Sequence, residues 1–128
     1  MDFITHLPNS FEHIVIWVIC DLLTKFVHFI ALPTKFCAKA LTSLFPVEVF
    51  CFHGLPKSIV SDRDPLFLRN FWHKFFKKQG TTLKYNTAYH PEIDGQTEVV
   101  NRSLEIYLCC LVGDHPHNWY KVLHLAEY

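Results

Sequence analysis

Charge is what this chain has little of. Acidic and basic side chains number twelve each, so the formal net charge is zero, and only 19% of the 128 residues are charged. That balance argues against a strong autonomous nucleic-acid binder, because neutralising phosphates supplies most non-specific affinity. Long apolar runs are missing too. The longest, IVIWVIC from Ile14 to Cys20, stops at Asp21 and falls far short of the roughly 18–20 residues of a membrane span. No secretory signal precedes it. Cys20, Cys37, Cys51, Cys109 and Cys110 form an odd set without a C-x-x-C pair, which suggests neither a disulfide framework nor a zinc knuckle and fits a reducing compartment. His115 and His117 lack cysteines at ligand spacing, so structural zinc is not expected from the nine scattered histidines. Repeats and low-complexity stretches are absent as well.

What the chain does have is apolar material. Half of the residues are hydrophobic and 16% aromatic, twelve of them Phe, which excludes a disordered tail and points to a thick core or a missing partner. The length suits one small domain, residues 1–128. DFITHL, HIVIWVIC and KFVHFIAL are rich in β-branched and aromatic residues and are separated by hairpin-sized polar gaps, so they read as an antiparallel three-stranded meander. From Ala38 to His53 the apolar spacing is helical, with Gly54 as the stop and a kink expected at Pro46, which removes a hydrogen bond at a cost of about 3 kcal/mol. A short strand is expected at 58–61, a helix over 70–79 ended by Gly80, and a strand at 81–85. The turn-rich stretch 86–95 then leads into a long helix from about Gln96. On that helix Val100, Leu104, Tyr107, Leu108 and Leu111 make the apolar face; Glu98, Asn101, Arg102 and Glu105 fall opposite, and Glu98 lies in the exposed first turn. Cys109 and Cys110 read as packing residues of the same helix. This order of elements belongs to a mixed α/β sheet flanked by helices.

Three acids sit at the edges of separate elements: Asp2 before the first strand, Asp62 after the fourth, and Glu98, which follows Asp62 by 36 positions. Carboxylates that converge in this way suit a two-metal phosphoryl-transfer site, since Mg²⁺ prefers oxygen ligands and two such ions can hold the attacking and leaving oxygens. Taken alone, Asp62 beside Arg63, Asp64 and Pro65 reads as a turn cap. Asp21 and Asp64 compete for the same roles, although Asp21 heads a turn. Charge is also unevenly spread. Lys57, Arg63, Arg69, Lys74, Lys77, Lys78 and Lys84 face only Asp62 and Asp64 in the same stretch, a basic patch that serves equally as a solvated helix face or as a DNA contact.

The strings MDFITHLP, DLLTKFVHFIALP, HGLPKSIVSDRDPLF, FWHKFFKKQGTTLKY, TAYHPEIDGQTEVVNRSLE and HNWYKVLHLAEY cover nearly the whole chain. Together they resemble the integrase catalytic core of Ty3/gypsy-type LTR retrotransposons, within the retroviral integrase superfamily. The resemblance implies a ribonuclease H-like mixed sheet, three antiparallel strands then two more. It implies Asp2, Asp62 and Glu98 as catalytic residues and ligands of two Mg²⁺ or Mn²⁺ ions. The reaction implied is 3′-end processing and strand transfer of element DNA into target DNA, in the nucleus, with homo-oligomers allowed for. Asn101, Arg102, Lys74, Lys77 and Lys78 would face DNA, residues 86–95 would shape the mouth of the site, and Tyr89 and His90 would hold or touch it.

Departures from the family pattern keep a second reading open. Asp2 is expected at a frayed end, the core is expected to be incomplete at both ends, and Pro46, Leu22, Glu92 and Ile93 replace usual residues. A catalytically silent remnant acting as a nucleic-acid or protein interaction module fits these observations. A ribonuclease H-type enzyme would normally show a fourth acid and lack YHPEIDGQTE.

Overall fold

A computed structural model describes residues 1–21, 23–61, 70–85 and 91–126. They form two compact units, one made of Met1–Lys35 with Glu92–Tyr128 and the other of Phe36–Pro91.

In the first unit, strands β1 (Asp2–Ile4), β2 (His13–Cys20) and β3 (Val27–Pro33) make an antiparallel sheet in the order β1-β2-β3, the expected meander. The register sets Asp2 opposite Val18, Phe3 opposite Trp17 and Ile4 opposite Ile16. Because side chains alternate across a strand, Ile16 and Val18 share one face and Trp17 takes the other. The first face packs with Ile4 against helix α4 (Pro91–Val112) through Leu104 and Leu108. Trp119, Leu123 and Ala126, from the short helix α5 (Trp119–Val122) and the 3₁₀ turn Leu123–Ala126, close that core.

Two turns of this sheet use left-handed backbone without glycine. Phe11 (φ 49°) and Glu12 (φ 66°) are the central residues of the tight turn that enters β2, with Ser10 and His13 exchanging both backbone hydrogen bonds at 2.9 Å. Positive φ at both central residues fits a type I′ turn, which normally takes Asn-Gly, and a residue with a Cβ loses roughly 1 kcal/mol or more in that conformation. The second turn is Asp21's. Its Oδ1 accepts the Leu23 N–H at 3.0 Å and its Oδ2 the Thr24 hydroxyl at 2.7 Å, while Lys25 takes φ 63°. Asp21 is therefore the turn residue expected of it.

In the second unit, helix α1 (Ala38–Phe45) runs into a π-helical segment, Pro46–Phe50, and then a single turn α2 (Cys51–His53) ended by Gly54 at φ 71°. The kink expected at Pro46 takes this form. Proline has no N–H for the Thr42 carbonyl, and the wider turn accommodates a position where the regular ladder is already broken. Strand β4 (Ser58–Ser61), helix α3 (Asn70–Lys78) and strand β5 (Thr82–Tyr85) follow, with β4 and β5 parallel and in register from Ser58–Thr82 to Ser61–Tyr85. Phe45 meets Phe76 edge-on at 5.3 Å between ring centres, and Trp72 stacks on Phe76 at 5.2 Å. Gly80 (φ 73°) closes α3: its N–H bonds the Lys77 carbonyl and the Thr81 N–H bonds the Phe76 carbonyl, the paired bonds of a Schellman motif.

Candidate active site

Asp2 is not frayed. It is paired within β1, its Oδ1 accepts the Phe3 N–H at 2.7 Å, and its Oδ2 accepts the Asn101 side-chain N–H at 2.8 Å. Strand pairing across to Val18 and a helix side chain from 99 positions away both restrain it.

Asn101 therefore does not lie on the open side of α4, as helical spacing had placed it; it is half-buried and turned toward β1. Its Oδ1 is buried and has no hydrogen-bond partner among the described residues. Glu98 lies one turn earlier on the same side of the helix, as the three-residue spacing requires. Its exposed carboxylate meets Arg102 at 3.3 Å, both side chains being more than 70% accessible, so the pair contributes little.

The start of α4 corrects two expectations. The helix begins at Pro91 and not near Gln96, so Glu98 is its eighth residue and lies in the third turn. Proline at the first helical position is pre-set for the helix and loses no N–H that the helix would use, so Pro91 was a start signal that the turn-rich composition masked. At Glu98 the field of the helix N-terminus is correspondingly weak. Only residues 86–90 remain of the expected loop 86–95, and they, with Tyr89 and His90, lie outside the described residues.

Asp62 and its rival Asp64 lie outside the described residues too. Strand β4 does end one residue before Asp62, at Ser61, whose buried hydroxyl has no partner among the described residues. Asp2 and Glu98 belong to one unit and β4 to the other. Among the described residues no group of three His, Cys, Asp or Glu side chains converges as a metal site.

Lys74, Lys77 and Lys78 are exposed on α3. Lys74 and Lys77 line a shallow depression of about 360 Å³ with His73, Thr81, Thr82 and Leu83. Lys77 and Lys78 also occupy the last turn of α3, where cations favour the helix dipole whatever else they do. Arg63 and Arg69 lie outside the described residues. Cys109 and Cys110 are exposed, not packed. Burial pushes the Cys20 thiol above its usual range. Among the described residues no helix is long and apolar enough to cross a membrane.

No protein-family model matches the chain. A chain of the simian T-cell lymphotropic virus intasome, solved with PP2A regulatory subunit B56 gamma, superposes with a TM-score of 0.73 at 16% identity, covering 98% of this chain and 45% of that one. The catalytic core domain of BIV integrase superposes at 0.65 and 19% identity, over 88% of this chain and 72% of that one. These likenesses define the class: a ribonuclease H-like, mixed α/β integrase-core fold. The Tf2-3 and Tf2-4 transposon polyproteins of Schizosaccharomyces pombe are 32% identical over 127 residues, 99% of this chain and 10% of each polyprotein. The chain is thus similar along nearly its whole length to these Ty3/gypsy-like transposon polyproteins, and it spans about a tenth of their length.

Proposed function

We propose that this chain is the catalytic core of a retrotransposon integrase, carrying out metal-dependent phosphoryl transfer on DNA with Asp2, Asp62 and Glu98. The observation that supports this reading is Asp2, held on β1 by Asn101, which lies three residues after Glu98 on the same helix of the same unit.

The donor set suits a hard divalent cation, because Asp2 and Glu98 offer only oxygen. Each Asp2 oxygen accepts one hydrogen bond and keeps a further lone pair for a ligand. Asp2, Asp62 and Glu98 would hold Mg²⁺ or Mn²⁺, two ions in the family pattern. Bound there, the metal supplies charge stabilisation at the reacting phosphate and activation of the attacking oxygen.

The residues of the chain position and bind. In end processing a water oxygen forms the new bond to phosphorus as the bond to the departing 3′-oxygen breaks, and that oxygen takes up a proton. In strand transfer the freed 3′-hydroxyl attacks a target phosphodiester in the same in-line manner. Such displacements depend on placement more than on covalent help from the protein, and the Asn101 amide gives Asp2 that placement. Arg102, in only a weak exposed pair with Glu98, is available to a DNA phosphate, and Lys74, Lys77 and Lys78 add phosphate contacts from the other unit. Element and target DNA in a nucleus are the implied partners and place, with self-association of the chain.

A silent interaction module is the second reading, favoured by the exposed apolar side chains Val47, Phe52 and Leu55. Calorimetric titration with Mn²⁺ and Mg²⁺, comparing the parent with Asp2→Asn, Asp62→Asn and Glu98→Gln, separates the two. Binding that each substitution weakens, together with joining of an oligonucleotide end to target DNA, supports the enzyme. A folded chain that binds no metal supports the module.

A further inference from the structure

The His13 end of β2, away from Asp2's strand partner Val18, carries a feature that the proposed chemistry leaves unused. The two-residue turn at Phe11 and Glu12 is clasped to the segment around α5. The Ser10 hydroxyl donates to the His117 carbonyl and accepts the Tyr120 N–H at 3.2 Å. The His117 ring Nδ1 bonds the Asn9 carbonyl at 2.8 Å, and the Trp119 indole N–H bonds the Pro8 carbonyl at 2.6 Å. Ser10 and Trp119 are almost wholly buried, so the clasp is anchored in the core.

What the clasp presents is aromatic and open. Phe11 is 53% exposed and Tyr120 41%. Their rings lie 6.3 Å apart, His13 stacks on Tyr120 at 4.1 Å and 9°, and the Lys121 ammonium sits 4.7 Å from the Phe11 ring centre. Folding alone gives no account of this. An aromatic side chain half out of water, at a strained turn position where glycine would be relaxed, loses both burial and backbone freedom.

We propose that Phe11, Tyr120 and His13, with Lys121, form a stacking platform for unpaired bases of a single-stranded nucleic acid. Every base has a π face, so rings of this kind bind with little regard to sequence, and the lysine supplies the cation that a neighbouring phosphate needs. Exposed Glu12 is the charge that opposes it and limits affinity. The site is distinct from the acids and rests on the integrase reading only for its biological setting.

The test is fluorescence anisotropy of a labelled oligothymidylate with the whole chain, against Phe11→Gly and Tyr120→Ala, with an abasic oligonucleotide and a duplex of equal length as probes. Phe11→Gly relaxes the turn, so its effect is not a folding loss. The expected result is affinity lowered about 5-fold or more by each substitution, with the abasic strand bound more weakly than oligothymidylate by a similar factor. Equal affinity for abasic and thymidylate strands, or substitutions that change binding less than 2-fold, would overturn the platform. An RNA strand bound in place of DNA keeps the platform and changes its ligand. A chain that binds thymidylate but no metal refutes the integrase reading and keeps the platform.

Discussion

Asn101 of α4 donates its side-chain N–H to the Asp2 carboxylate at 2.8 Å, joining the long helix to the first strand across 99 positions of sequence. The bond fixes the direction in which Asp2 presents its remaining lone pairs. A helix whose buried face is otherwise apolar thus contributes one polar group to the strand edge.

Replacing Asn101 by Leu keeps a similar volume and removes the donor. Mn²⁺ affinity is expected to fall about 10-fold or more, as for other groups that orient a metal ligand. Thermal stability should change little, since the unpartnered Oδ1 is lost along with the bond. Calorimetry and melting curves check the two halves; unchanged affinity would show that Asn101 does not orient Asp2.

The turn at Phe11 and Glu12 is a place to gain stability. Asn-Gly in these two positions relaxes both left-handed residues and should stabilise the chain by about 1–2 kcal/mol. Urea unfolding measures it as a higher midpoint with an unchanged slope.

Gly80 isolates a backbone effect. A Cβ built there meets nothing within 4 Å, so the cost of Gly80→Ala comes from its φ of 73° alone. A loss of about 1 kcal/mol is expected, with no change in core packing. A loss several times larger would mean that the surroundings of α3 shift as well.

Cys20 should be the last of the five thiols to react with an alkylating reagent, since it is partly buried while the other four are exposed. Burial, the largest influence, raises its folded pKa above the usual 9.0, followed by lowering effects of the N-terminal amine and Lys25 and a raising one of Asp21. A raised acid favours the folded state fully below pH 9 and loses that contribution as pH rises through the folded value. Stability should therefore decline more steeply above pH 9 in the parent than in Cys20→Ala, which unfolding at a series of alkaline pH values will show.

Elements with strong local signals were legible. The meander, the 58–61 strand and the stop at Gly80 follow from alternation and from glycine's tolerance of left-handed backbone, and each lies where expected. Relations made by distant residues were not. Spacing put Asn101 with the exposed acids because a helical wheel records the side of a helix, not what strand edge lies beside it. Nor did composition separate Pro91 as a helix start from Pro91 as a loop residue, and Glu98 moved from the first turn to the third in consequence. The left-handed pair Phe11 and Glu12 carries no glycine to announce it, so the clasp had no signature beyond an Asn-Ser before an aromatic.

The clasp also dictates an order of assembly. Its partners stand up to 111 positions apart, and the unit it closes is interrupted by the whole of Phe36–Pro91. During synthesis the interrupting unit has all of its own chain first, while β1, β2 and β3 emerge earlier yet wait for Leu104, Leu108 and Trp119 to cover them. Contacts of such long sequence separation form slowly, leaving the apolar face of the meander open to chaperones in the interval. The meander is therefore the vulnerable segment of this fold until α4 and the residues around α5 have been made to cover it.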